Sequence, residues 1–192
     1  MKVNALVEGY LESVLLPVLL DQIGRSDITP VIRDARGGPN FWKEAKRYNE
    51  AAVHTLVLGL ADVEQATCAG ELIVANLPRK SAAFHLRLAV KMLESWLIAD
   101  RIAIASFLGV SQAKIPRDPD QIPHPKRLLV VLARGSSKRA IREALIPDDS
   151  GGIVGPDYVA TMTSYIASHW NVERARAESP SLNRACYRWA AI

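Results

Sequence analysis

The chain predicts an α/β fold: a mostly parallel sheet flanked by helices over residues 1 to about 105, and a helical C-terminal extension over residues 106–192 packed against it as one compact unit. Three observations carry this expectation. Four short apolar runs, at Val3–Val7, Thr29–Arg33, His54–Leu60 and Phe84–Val90, alternate with stretches of helical spacing. Alternation of that kind implies right-handed βαβ crossovers and hence parallel strands. After residue 105 the strand pattern stops and apolar-basic helical stretches take over.

The elements follow in order. Val3–Val7 is a short buried strand, and Glu8-Gly9 turns the chain into a helix over Leu11–Ile23. In that helix Leu11, Val14, Leu15, Val18 and Leu19 fall at helical spacing, and Pro17 bends it or delays its start. The second strand runs into Gly37-Gly38-Pro39, a loop signal, and a helix over Phe41–Ala52 follows. In the third run, Thr55-Leu56-Val57-Leu58 suits a strand buried on both faces. A helix over Cys68–Leu77 precedes the fourth strand, and a helix over Met92–Ile104 follows it. The proline-rich segment 115–125 is an irregular connector. Helical stretches then cover Pro125–Arg134, Ser137–Leu145, Tyr158–His169 and roughly Leu182–Ala191, with a flexible loop at Asp148–Gly152. Trp96, Trp170 and Trp189 have apolar neighbours at helical spacing and belong to the core, whereas Trp42, after the Gly-Gly-Pro loop, is partly exposed.

Bulk composition narrows the class. Hydrophobic residues make up 49% and charged residues 23%, which fits a globular chain rather than a disordered one. No apolar run reaches the roughly 20 residues that a membrane-spanning helix requires. Two cysteines, Cys68 and Cys186, are too few for a disulfide framework and lack zinc spacing, which suits the reducing cytoplasm. The net charge of +4 is uneven: residues 1–100 hold 11 Lys+Arg against 12 Asp+Glu, and residues 101–192 hold 13 against 8. An acid-bearing half beside a basic half suits a metal site next to a polyanion track; the basic excess equally fits a solvated helical surface.

The chemistry gathers at strand ends. Glu8 follows the first strand, with Glu12 one helical turn on; Asp62 and Glu64 follow the third strand; Glu94 follows the fourth. Residues two apart in extended chain point the same way, so Asp62 and Glu64 are expected side by side, unless they serve only as loop acids or helix caps. Parallel strands place all these ends on the edge where open α/β sheets bind ligands. Converging acids repel one another unless a cation sits between them, and Mg²⁺ or Mn²⁺ prefers oxygen ligands. Lys126, Arg127, Arg134, Lys138, Arg139 and Arg142 are candidate phosphate contacts; Arg134, Lys138 and Arg142 recur at intervals of four, with Gly135 breaking the helix.

Val7-Glu8-Gly9-x-x-Glu12, Asp62-Val63-Glu64 followed by Cys68, Leu93-Glu94-Ser95-Trp96-Leu97-Ile98-Ala99-Asp100, and Ser179-Pro180-Ser181-Leu182-x-Arg184-Ala185 together resemble the DUF4276 family. That family is Toprim-like and related to OLD-type nucleases. The resemblance spans nearly the whole chain and implies a Toprim-like sheet with Glu8, Asp62 and Glu64 as catalytic residues. In its terms Glu8, Glu12, Asp62, Glu64 and Glu94 would ligate Mg²⁺ or Mn²⁺; the nucleic acid, DNA or RNA, would meet Lys126, Arg127, Arg134, Lys138 and Arg142, which are chosen by their charge and carry no family motif. It also implies a partner ATPase in a phage-defence locus. One departure stands out: the family shows Asp-x-Asp where this chain has Asp62-Val63-Glu64, whose longer acid would shift or weaken a Mg²⁺ ion that demands near-ideal octahedral geometry. The expected activity is therefore a metal-dependent phosphodiesterase or nuclease. The alternative is a non-catalytic subunit that binds the ATPase or nucleic acid.

Overall fold

The computed structural model describes residues 1–66, 68–148 and 151–192, so the Asp149-Ser150 part of the expected loop lies outside the described residues. Four strands, β1 (Lys2–Val7), β2 (Thr29–Asp34), β3 (Val57–Asp62) and β4 (Phe84–Ala89), form one all-parallel sheet in the order β2-β1-β3-β4. The order reverses direction between β1 and β3. The expected α/β class and the parallel sheet are therefore present.

Between the strands run α1 (Tyr10–Gln22), α2 (Gly38–Ala51) and α3 (Ala69–Asn76). After β4 come α4 (Leu93–Ala99), α5 (Arg101–Leu108), α6 (Pro125–Arg134), α7 (Arg139–Leu145), α8 (Tyr158–Ser168), α9 (Val172–Glu178) and α10 (Pro180–Ala190). Right-handed crossovers dictate the layers. The β1-to-β2 crossover runs opposite to the next two, so α1 covers one face and α2 and α3 cover the other. The two apolar clusters follow this division. Val3, Ala5, Val7, Leu58 and Leu60 pack with α1, α4 and the C-terminal helices; Leu6, Val57, Ala61, Phe84 and Leu86 pack under α2 and α3. Because β3 lies inside the sheet with both faces covered, all six of its residues are buried.

Several boundaries differ from the expected ones for identifiable reasons. His54–Leu56 is a turn and the start of extended chain, and β3 begins at Val57, where pairing to β1 and β4 starts. The Gly-Gly-Pro segment opens α2 rather than forming a loop: Gly37, at φ 114°, is the N-cap, and Pro39 occupies the first turn, where its missing N–H costs nothing. α1 runs through Pro17 without interruption.

The single helix expected over Met92–Ile104 is two helices. Asp100 leaves helical geometry and caps α5 by accepting from the Ala103 N–H at 3.2 Å. Its two oxygens also accept from the Asn171 N–H at 2.9 Å and from Arg174 at 2.8 and 2.7 Å, which ties the break to the start of α9. Asp100 is thus a packing and capping acid. Nothing in the sequence pattern announced α9 itself. The tryptophans behave as expected: Trp96, Trp170 and Trp189 are buried, Trp42 is half-buried, and each buried indole N–H finds an acceptor, Ser181 Oγ at 2.7 Å, Trp96 O at 3.0 Å and His85 O at 3.0 Å respectively.

Candidate functional site

At the C-terminal ends of β1 and β3, the point where the strand order reverses, a cavity of ≈ 430 Å³ opens. Glu8, Glu12, Asp62, Glu64 and Glu94 all line it. Glu8 leaves β1 on the side of α2, and its Oε2 accepts from the Asp62 N–H at 3.0 Å. Asp62 ends β3 on the same side as Leu58 and Leu60, toward α1, and its Oδ1 accepts from the Leu93 N–H at 2.8 Å, at the start of α4. Glu94, in the first turn of α4, accepts from the Tyr158 hydroxyl at 2.9 Å and lies 3.5 Å from Lys126 Nζ. Among the described residues, the other oxygens of Glu8, Asp62 and Glu94 accept no hydrogen bond.

Two glycines keep the carboxylates against bare backbone. A Cβ at Gly9 would come within 3.1 Å of Glu12 Oε2, and one at Gly38 within 3.4 Å of Glu8 Oε1. The acids consequently sit at the N-terminal turns of α1 and α2, where the helix dipole favours negative charge.

That help does not offset the burial. Glu8, Glu12, Asp62 and Glu94 are between 3% and 9% exposed. Among the described residues, Lys126 and the exposed Arg36 are the only cations on a wall that carries six acids, the sixth being Asp34. Burial, then repulsion from Glu94 and Glu8, pushes the Glu12 carboxyl up to about 8. Burial and the surrounding acids raise Asp62 well above the usual carboxylate range, and burial raises Glu8, partly opposed by the Asp62 N–H bond.

The expected pairing of Asp62 with Glu64 does not hold. β3 ends at Asp62, and Glu64 has φ 51°, so the two-residue repeat of extended chain no longer applies. Asp62 is buried at the cavity floor and Glu64 is exposed at its rim. Arg36 (φ 61°) is the other described non-glycine residue in the left-handed region, and it lines the same cavity. Strain of this kind concentrates where function over-determines the backbone.

The donors are all oxygen, which suits a hard divalent cation. Among the described residues, no three Asp, Glu, His or Cys side chains converge closely enough to ligate one ion. The site fits an ion held by one or two carboxylates and completed by water and substrate oxygens, the usual Mg²⁺ arrangement, and not a closed protein cage.

The basic candidates do not share a track. Lys126 belongs to the acidic cavity, whereas Arg127 and Arg134 line a separate groove of ≈ 340 Å³. Lys138 donates to the Ser106 and Phe107 carbonyls at 2.8 and 3.1 Å at the end of α5, and Arg142 donates to the Ser136 carbonyl at 2.6 Å. The turn between α6 and α7 takes Arg134 off the line of the other two.

Asp34, Arg36 and Tyr158 were not anticipated. Asp34 ends β2 and obeys the strand-end rule that located the other acids, but the strand was expected to stop one residue earlier. Tyr158 comes from the C-terminal helices and carries no local signal. No family model, no curated protein and no solved structure matches the chain.

Proposed function

We propose that the chain is a divalent-metal-dependent phosphodiesterase of nuclease type, with its active site in the acidic cavity. The observation that carries this reading is the burial of four carboxylates, from both sides of the β1–β3 switch point, on one cavity whose wall has only two cations among the described residues. Such an arrangement is unfavourable without a cation, and natural folds retain unfavourable charge clusters at working sites. Glu8, Asp62 and Glu94 each turn one oxygen to protein donors, and one or two of the carboxylates on this cavity would hold the ion, with water and substrate oxygens completing its coordination. A bound Mg²⁺ or Mn²⁺ would supply an activated water and neutralise charge on the reacting phosphate. Lys126, half-buried, is placed to stabilise charge developing on that phosphate. The N-terminal turns of α1 and α2 favour phosphate oxygens at the cavity mouth.

The same cavity with weak or no metal binding would leave a docking subunit, the second reading. The exposed position of Glu64 and the lack of a close carboxylate trio favour it. In that case a partner ATPase, or nucleic acid bound without cleavage, is the functional context.

A cleavage assay with Mn²⁺ or Mg²⁺ on single- and double-stranded DNA and RNA decides between them. Glu8→Gln keeps an acceptor for the Asp62 N–H but removes the charge, and is expected to lower cleavage by about 100-fold or more. Equal cleavage by Glu8→Gln and wild type contradicts the enzymatic reading. No cleavage of any substrate by wild type, together with retained binding, supports the docking subunit.

A further inference from the structure

The far edge of the sheet carries a second, differently built groove. Its floor is β4, with Leu86, Arg87 and Leu88; α10 forms one wall and α3 the other, enclosing ≈ 420 Å³. Arg87, Arg184 and Arg188 line it. Among the described residues, none of the three guanidiniums has a carboxylate within salt-bridge distance. Arg87 is half-buried, and its Nε is buried without a hydrogen-bond partner, although Nη1 reaches the Leu86 carbonyl at 3.0 Å. A buried orphan donor in a cationic groove marks the position of a missing acceptor. Between the two α10 arginines in sequence, Tyr187 is 73% exposed.

The chain runs directly from the groove to the acidic cavity. Val90 lines the groove; the next residues, Lys91 and Met92, line a small cavity of ≈ 170 Å³ with His124; Met92 and Glu64 then line both that small cavity and the acidic one. Three consecutive residues, Val90, Lys91 and Met92, thus line the groove, the small cavity and the acidic cavity in turn.

We propose that this groove is a track for single-stranded nucleic acid: Arg87, Arg184 and Arg188 meet backbone phosphates, Tyr187 stacks on a base, and the strand runs past Lys91 toward the acidic cavity. The proposal rests on the phosphodiesterase reading for its direction but not for its binding chemistry. A cationic groove with an exposed aromatic is the general design of single-strand sites, in which phosphates supply affinity and the ring accepts any base. The larger basic groove of the molecule, ≈ 680 Å³ and lined by Arg33, Lys43 and Arg47, is different. There Glu44 already holds Arg33 in a two-point ion pair at 2.9 Å, so it serves as the control.

The test is fluorescence anisotropy with labelled dT12 and U12, in EDTA, across a salt series. Arg184→Ala/Arg188→Ala is expected to weaken binding about tenfold and to reduce the salt slope by about 1.4, the contribution of two phosphate contacts on a single strand. Tyr187→Ala is expected to weaken it about fivefold. All three residues are exposed, so thermal melts should match wild type. Lys43→Ala/Arg47→Ala should bind as wild type does. The proposal is overturned if wild type binds neither oligonucleotide, if the control weakens binding as much as the α10 variants, or if a duplex or poly-glutamate competes better than single strands. Binding lost in the α10 variants of a protein that never cleaves leaves the track standing and removes the nuclease reading. Cleavage and binding unchanged in those variants does the reverse.

Discussion

Glu12→Gln is expected to stabilise the metal-free protein at pH 8 while weakening its response to Mn²⁺. The Glu12 carboxyl is pushed up to about 8 in the fold, against 4.5 for the free side chain. Between those values the folded chain keeps a proton that the unfolded chain has lost, so the folded state binds more protons and stability falls as pH rises through the window. Below pH 4.5 both forms are protonated and the penalty vanishes; above about 8 it is fully present. A gap of about 3.5 pH units, at about 1.4 kcal/mol each, caps the cost at roughly 5 kcal/mol. Glu8 and Asp62 are raised as well, so the wild-type slope runs in the same direction. Glutamine removes the Glu12 share. Its Tm should exceed that of wild type by at most about 10–20 °C at pH 8 and by almost nothing at pH 4.5. Added Mn²⁺ should raise the wild-type Tm at pH 8 and the variant's by much less, because bound ligand stabilises only the form that binds it. Equal pH profiles for the two proteins would show that Glu12 does not carry the charge strain assigned to it. A variant that gains stability on losing a buried acid while losing ligand response is the usual signature of a functional residue.

Asp100→Ala is expected to cost about 3 kcal/mol, roughly 6–12 °C in Tm. The carboxylate is fully buried and serves three partners from different parts of the chain: the Ala103 N–H, the Asn171 N–H and Arg174. Losing the α5 cap accounts for about 1 kcal/mol, and leaving a part-buried backbone N–H at Asn171 without its acceptor accounts for most of the rest. Arg174 is 43% exposed and can turn to water, so the loss stays below that of a fully buried broken ion pair. Chemical denaturation with an unchanged slope and a lower midpoint is the expected pattern. A change under 1 kcal/mol would mean that the α4–α5 break and the start of α9 are held by packing alone.

Asp100 also illustrates where sequence reading stops. The strands were legible because a parallel sheet buried on both faces needs near-continuous apolar runs, and Thr55-Leu56-Val57-Leu58 is such a run. The acids were legible because a parallel sheet delivers every strand end to one edge. Pairing was less so: whether β3 stops at Asp62 or Glu64 depends on β4, which pairs only as far as Asp62 and Ala89. The expected strand ended at Leu60, but its two-residue alternation was carried on to Glu64, which put Glu64 beside Asp62. The helix break at Asp100 depends on partners more than 70 positions away, and α9 (VERARAE) buries only Val172 and Ala175, too little for a periodic signal. Tyr158 and Lys126 reach the acids from the C-terminal helices, a tertiary arrangement that local pattern cannot contain. The basic residues were chosen by charge alone, and charge does not distinguish Lys138, which closes a helix end through two carbonyls, from Arg184, which has no such duty.

The most direct measurement is calorimetric titration of Mn²⁺ into wild type and Asp62→Asn. Asparagine keeps an acceptor for the Leu93 N–H, so α4 and Glu94 stay in place while the charge at the cavity floor is lost. Wild type is expected to bind Mn²⁺ with proton release near neutral pH, since the raised carboxyls give up protons to admit the ion. Asp62→Asn is expected to bind at least about tenfold more weakly. Equal affinity in the two proteins, or no binding by wild type even with an oligonucleotide present to complete the coordination, would contradict a metal centre at the β1–β3 edge.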